Sequence, residues 1–179
     1  RVLEYLGLDD TILDIGLTPN RADCNAMWNL AKEVGAVLHR KVTWPSCQAA
    51  SKIGTAGSFK IASKTEKCPV FVGKVVNHVK VGPSPKWLAN YLHAYGIKSI
   101  NNVVDISNFV MVETGQPLHY YDLSKLLHHE ITVVDDVEMT MQALDGQDYE
   151  IKKGDLLITT GGQPTGIAGI MGGEESKID

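Results

Sequence analysis

The 179 residues carry 44% hydrophobic and 21% charged side chains and a net charge of −4, proportions of an ordinary globular chain long enough to bury a core in one domain, with or without an appendage. That charge argues against a stand-alone nucleic-acid binder living on phosphate contacts, though not against a module that receives a nucleic acid held elsewhere. No apolar run approaches a membrane span and no signal peptide opens the chain; three separated cysteines (Cys24, Cys47, Cys68) without a CxxC pair point to a reducing cytosol and away from zinc or any other metal.

The chain opens at Arg1 without a methionine and stops at Asp179 just past a glycine-rich turn, so it reads as a piece of a longer protein. In the first apolar stretch Ile12, Asp14 and Gly16 alternate with Leu13, Ile15 and Leu17, the period of a half-buried strand. Asp23 suits the N-cap of a helix. In that helix Ala26, Met27, Leu30, Ala31, Val34, Val37 and Leu38 repeat at helical spacing, with Lys32, Glu33, His39 and Arg40 toward solvent. It reads as a core helix, with Met27 and Trp28 as packing residues. Residues 43–57, rich in Pro, Ser, Gly and Ala, read as a connection. Strands are expected at 59–63 and 70–81, where valines recur. Ser84-Pro85 then signals a helix by a serine cap and a proline in the first turn. Trp87, Leu88, Tyr91, Leu92 and Tyr95 line its buried face, and Gly96 ends it.

The stretch from Gly96 to Asp122, GIKSINNVVDISNFVMVETGQPLHYYD, holds most of the chemistry. A polar loop leads into an apolar segment, 103–112, which breaks at Thr114-Gly115-Gln116-Pro117. His119, Tyr120 and Tyr121 follow at once. If the segment is helical, Asp105, Ser107 and Asn108 project toward the same loop, and Asp105 and Asn108 share a face. By spacing alone this is either a capped helix, a turn and a surface histidine, or an imidazole aimed by a stiff backbone. Beyond it, 131–134, 139–144, 156–160 and 165–171 look like strands, and Asp145-Gly146 is a tight turn. Gly166-Ile167-Ala168-Gly169-Ile170-Met171-Gly172-Gly173 is glycine-rich for a strand. Either it is a bulged strand end with a turn, or a backbone or ligand approaches it closely; no phosphate-loop pattern is present. Strands gathered late in the chain favour an α+β fold, with a mixed or mostly antiparallel sheet and packed helices.

Three segments go beyond periodicity: Leu17-Thr18-Pro19-Asn20-Arg21-Ala22-Asp23-Cys24, the central stretch above, and Gly166-Ile167-Ala168-Gly169-Ile170-Met171-Gly172-Gly173-Glu174. In this order they resemble the editing domain of the beta subunit of bacterial-type phenylalanyl-tRNA synthetases. The resemblance covers essentially all of 1–179, as an editing domain truncated at its C-terminus. It implies hydrolysis of tyrosine wrongly esterified to tRNA(Phe) in a cytoplasmic α2β2 enzyme. The partners implied are the tRNA 3′ end and the alpha subunit, with no membrane. No cofactor is implied for this piece; ATP and Mg²⁺ serve the parent enzyme elsewhere.

The resemblance also implies roles by residue. His119 matches the histidine near the scissile ester, Asn108 an asparagine lining the site, and Pro117 a lining proline. Gly169 and Gly172 match glycines whose missing side chains leave room for the amino acid. Lys98 stands where the family often has arginine facing the terminal adenosine or the substrate; lysine keeps the charge and loses the bidentate fork. The family's glutamate for the tyrosine hydroxyl belongs to sequence after Asp179, so little discrimination of tyrosine from phenylalanine is expected of this piece alone. Glu174 and Glu175 read as solvated turn residues. Two other classes of reading are a structural or RNA-binding module that no longer edits and a free-standing small-molecule binder.

Overall fold

Apolar side chains at helical spacing build the helices of this chain, and period-two stretches build its strands, but only where a partner strand exists to complete the ladder. The computed structural model describes residues 2–7, 9–46, 57–176 and 178. They fall into two compact units: the described residues before 50 with Lys80–His119, and those from 57 to 79 with those from Tyr120 on. Among the described residues no helix is long and apolar enough to cross a membrane.

The first unit is helical. It contains α1 (Val2–Leu6), α2 (Met27–Val37), α3 (Lys86–Tyr95) and α4 (Asn102–Thr114). Leu88, Leu92, Val103 and Val112 are buried, as are Cys24 and Ala26 beside α2. Phe109 of α4 lies edge-on to Trp87 and Tyr91 of α3, with ring centroids 5.6 and 5.2 Å apart. The carboxylate of Glu113 on α4 accepts from the indole Nε1–H of Trp28 at 2.8 Å and from the Tyr91 hydroxyl. Trp28, tilted against Trp44 at 5.6 Å, is the packing residue its position suggests.

Several expectations need correction here; among them, Trp87 and Tyr95 of α3 are exposed rather than on its buried face, which Leu88 and Leu92 form. Residues 9–17 form no strand and are exposed, Ile12 and Leu13 included; alternation alone buries nothing without a ladder partner. Asp23 does not cap α2. It lies in a 3₁₀ turn, Ala22–Asn25, where Arg21 engages its carboxylate at 3.1 Å, and the N-cap is Ala26. Val34, Val37 and Leu38 are exposed, so α2 is less of a core helix than its spacing suggests. Pro85 rather than Ser84 is the N-cap of α3, because the Ser84 hydroxyl is committed to Asp105. Gly96 does end α3, in the left-handed conformation at φ 92°.

The second unit carries the sheets: β1 (Lys60–Ser63), β2 (Glu130–Val134), β3 (Met139–Gln142), β4 (Asp148–Ile151), β5 (Leu157–Thr160), β6 (Gln163–Ile167) and β7 (Met171–Gly172). One sheet has the order β1-β2-β5-β6-β7 and the other pairs β3 with β4. β1 runs parallel to β2 and all other pairings are antiparallel, so the α+β reading with a mixed sheet holds. Val134, Met141, Ala143, Ile151 and Leu157 form one buried cluster, with Ile167 and Met171 packed against it.

Two further strand expectations change. Residues 70–81 form no strand, and Val70 and Val72 are exposed, again for want of a ladder partner. The expected strand at 165–171 is two strands, folded back through Gly169 at φ +72°. Of the expected connection at 43–57, residues 43–46 and 57 carry no helix or strand; the remainder, with Cys47, lies outside the described residues.

The β6–β7 return is tight. Gly173 N–H donates to Thr165 O at 2.8 Å, and a Cβ on Gly173 would sit 3.0 Å from that oxygen and 3.1 Å from its carbon. These are backbone atoms that cannot swing aside. Gly173→Val is therefore expected to destabilise the second unit by about 1–3 kcal/mol, seen as a lower melting temperature in a thermal scan.

Candidate functional site

Helix α4 organises the expected site residues of the first unit. Asn101 starts the helix, its side-chain oxygen accepting from the N–H groups of Val103 and Val104 at 3.1 and 2.9 Å. One turn in, Asp105 is fully buried at 0% exposure. Its carboxylate accepts from the hydroxyls of Ser84 and Ser99, each at 2.5 Å, and from the Ile100 N–H at 2.9 Å. Burial acts to raise the Asp105 pKa. The hydroxyls of Ser84 and Ser99 and the amide of Ile100 outweigh it and hold the group below the ordinary carboxylate range. The loop carrying Lys98 is thereby fixed to the helix through the two residues that follow the lysine.

Ser107 grips the other side. Its hydroxyl donates to the carbonyl of Leu118 at 3.0 Å, immediately before His119. Asp105 and Ser107 therefore do not face one loop, as expected from the sequence. Two residues are about 200° apart around a helix, so one holds the loop before α4 and the other the loop after it. Asn108 is half-buried on the same turn. The same turn that carries Asn108 thus anchors the segment that follows Lys98 and the segment that precedes His119, on different sides of the helix.

The turn leading to His119 is stiff. Gly115 is left-handed at φ 78° and donates to Met111 O. The Thr114 hydroxyl donates to Val110 O at 2.7 Å and accepts from the Gln116 N–H at 3.2 Å. Gln116 Nε2 in turn donates to the Pro117 carbonyl at 3.2 Å. Pro117 and His119 are exposed, yet desolvation by the surrounding protein pulls the imidazole below the usual histidine pKa. A histidine in that state is a neutral base at neutral pH. An open hollow of about 580 Å³ at the end of α3 is lined by His93, Lys98 and Ser99, among others, and includes neither Asn108 nor His119.

Gly169 and Gly172 belong to the second unit. Gly169 is exposed, and a Cβ there would meet nothing within 4 Å, although its φ of +72° disfavours any side chain. Gly172 pairs with Gly166 across β6–β7 and its carbonyl accepts from Leu144 N–H at 3.0 Å. Glu174 and Glu175 sit in a short 3₁₀ turn, Glu174–Ser176. Sequence reasoning named Tyr121 only as a neighbour of His119; burial pushes its phenol pKa up to about 12. It named Ser107 without its partner, because a backbone carbonyl leaves no mark in a sequence.

Comparison with known proteins adds the rest. Residues 67–179 match the model of the B3/4 domain. Over 99% of its length the chain is 42% identical to the phenylalanine–tRNA ligase beta subunit of Geobacter sulfurreducens, covering 22% of that protein. It is likewise 42% identical to the beta subunit of Bacillus cereus over 98% of its length, and 39% to that of Streptococcus pyogenes over 99%, covering 22% of each. The chain therefore spans about a fifth of the length of these relatives. With the family model covering well over half of its residues, the chain belongs to the B3/4 domain family.

Proposed function

We propose that this chain is the editing module of a phenylalanine–tRNA ligase beta subunit, hydrolysing tyrosine from mischarged tRNA(Phe). The observation that carries the proposal is the single turn of α4 whose Asp105 and Ser107 fasten the segments bearing Lys98 and His119 to the helix that carries Asn108. The similarity to beta subunits along nearly the whole chain supports it. A synthetic pocket built for phenylalanine rejects an added hydroxyl by only about 10²-fold. A second, hydrolytic site that hydrogen-bonds the phenol raises that ratio, since phenylalanine would leave its polar groups unpaired.

The reaction is attack of water on the aminoacyl ester, with the ribose hydroxyl leaving. His119, neutral because its pKa is lowered, takes a proton from the water and can return it to the leaving oxygen. Asn108 donates from its carboxamide to the oxyanion that develops on the carbonyl. Pro117 lines the site, Lys98 meets the terminal adenosine, and Gly169 and Gly172 leave room for the amino acid. The ester is already activated, so no covalent nucleophile is required. The parent enzyme would work in the cytoplasm with an alpha subunit, ATP and Mg²⁺.

The test uses the intact synthetase with Tyr-tRNA(Phe) and Phe-tRNA(Phe). Tyrosine is expected to be released well above the buffer rate, and phenylalanine much more slowly. Release of tyrosine no faster than in buffer alone would leave a structural or RNA-binding module in its place.

A further inference from the structure

The last turn of α4 carries a carboxylate where helix electrostatics disfavours one. Glu113 is the next-to-last residue of the helix, and no basic side chain in that turn offsets the negative end of the dipole. What holds it there lies on two other helices. The Trp28 indole of α2 donates to one carboxylate oxygen at 2.8 Å, and the Tyr91 hydroxyl of α3 donates to the other. Tyr91 also meets Phe109, one turn earlier on α4, edge-on at 5.2 Å. Burial and the facing carboxylate raise the phenol pKa, so this donor keeps its proton.

From this clamp the chain leaves α4 for the turn that ends at His119. Gly115, two residues on, is left-handed, and a Cβ there would stand 3.1 Å from the side chain of Ala26, the buried N-cap of α2. The start of α2 therefore abuts the turn at Gly115 and grips it at Glu113. At the far side Ser107 holds the Leu118 carbonyl at 3.0 Å. The turn that carries Pro117 is thus strung between a clamp joining three helices and one hydrogen bond back to α4.

We propose that Glu113 is a positioning residue for His119: by tying the end of α4 to α2 and α3, it fixes the point from which the turn presents the imidazole. The inference rests on the editing function proposed above, in which His119 is the base. Glu113 acts on substrate only through that turn.

The test uses Glu113→Ala, Glu113→Gln and Trp28→Phe in the full beta subunit within its synthetase. Alanine leaves both donors unmet, whereas glutamine keeps a carbonyl acceptor for the indole. Single-turnover deacylation of Tyr-tRNA(Phe) at saturating enzyme is expected to fall about ten- to hundredfold in Glu113→Ala, the range for a reacting group displaced by up to an ångström. Glu113→Gln is expected to recover most of that loss, and Trp28→Phe to lose about three- to tenfold, the worth of one hydrogen bond. The enzyme concentration giving half the maximal rate, the pH of the His119 inflection and phenylalanylation are expected to stay unchanged. Amide exchange at Gly115, Gln116, Leu118 and His119 is expected to quicken in Glu113→Ala. Deacylation at the wild-type rate in Glu113→Ala, or in Trp28→Phe should the alanine variant not fold, would overturn the proposal. So would a loss that lies wholly in tRNA binding. If the wild type does not deacylate at all, the editing reading fails, and the exchange measurement still decides whether Glu113 holds the turn.

Discussion

Asp105→Ala is expected to cost the first unit about 3–4 kcal/mol, because it removes a charged acceptor from three donors at once and strands the Ser84 and Ser99 hydroxyls. The measurement is urea unfolding followed by tryptophan fluorescence. Trp28, Trp44 and Trp87, all the tryptophans of the chain, belong to the first unit, so the signal reports it alone. A midpoint shift with unchanged slope is expected; a loss under 1 kcal/mol would show that the Lys98 loop is held by something else. The wild type has its own acid signature. The Asp105 pKa is lower in the fold than in the unfolded chain, so its contribution is fully present above the unfolded value. It is lost as pH falls through the folded one. The alanine variant should lack that component of acid unfolding.

His119→Ala in the intact synthetase is expected to slow release of tyrosine from Tyr-tRNA(Phe) by about 10²- to 10⁴-fold, the usual worth of general base assistance. Phenylalanylation should be untouched. The pH profile carries the finer test. Because the His119 pKa is lowered, its base form persists below the ordinary histidine value of about 6.5. Wild-type deacylation should stay level through that value and decline only beneath it, and the variant should lose the inflection. Unchanged hydrolysis in His119→Ala would remove the imidazole from the mechanism.

Helices α3 and α4 were legible because their stops are local: Gly96 and Gly115 both end helices in the left-handed conformation. The sheet strands were legible where apolar runs coincide with pairing, as at β2 and β5. The failures share a cause. Residues 12–17 and 70–81 have strand-like composition, but a strand is a property of two segments, and only one is visible in each window. β4 went unnamed although Tyr149 and Ile151 alternate with charged neighbours; four residues are too few to stand out. At the candidate site, the residue types came from the resemblance and their arrangement from the fold. The buried side of Asp105 and the Ser107–Leu118 bond depend on donors and acceptors that meet only after folding.

The parallel pairing of β1 with β2 bears on the order of assembly. Lys60 lies opposite Glu130, and in the sequence residues 80–119, which belong to the first unit, come between the two strands. Closing a segment of that length costs about 4 kcal/mol in chain entropy before a single rung forms. The hairpins β3–β4 and β5–β6 close over short turns and need no such search. On loop closure alone, β1 is expected to be the last strand to zip onto the platform and the first to lose amide protection in hydrogen exchange.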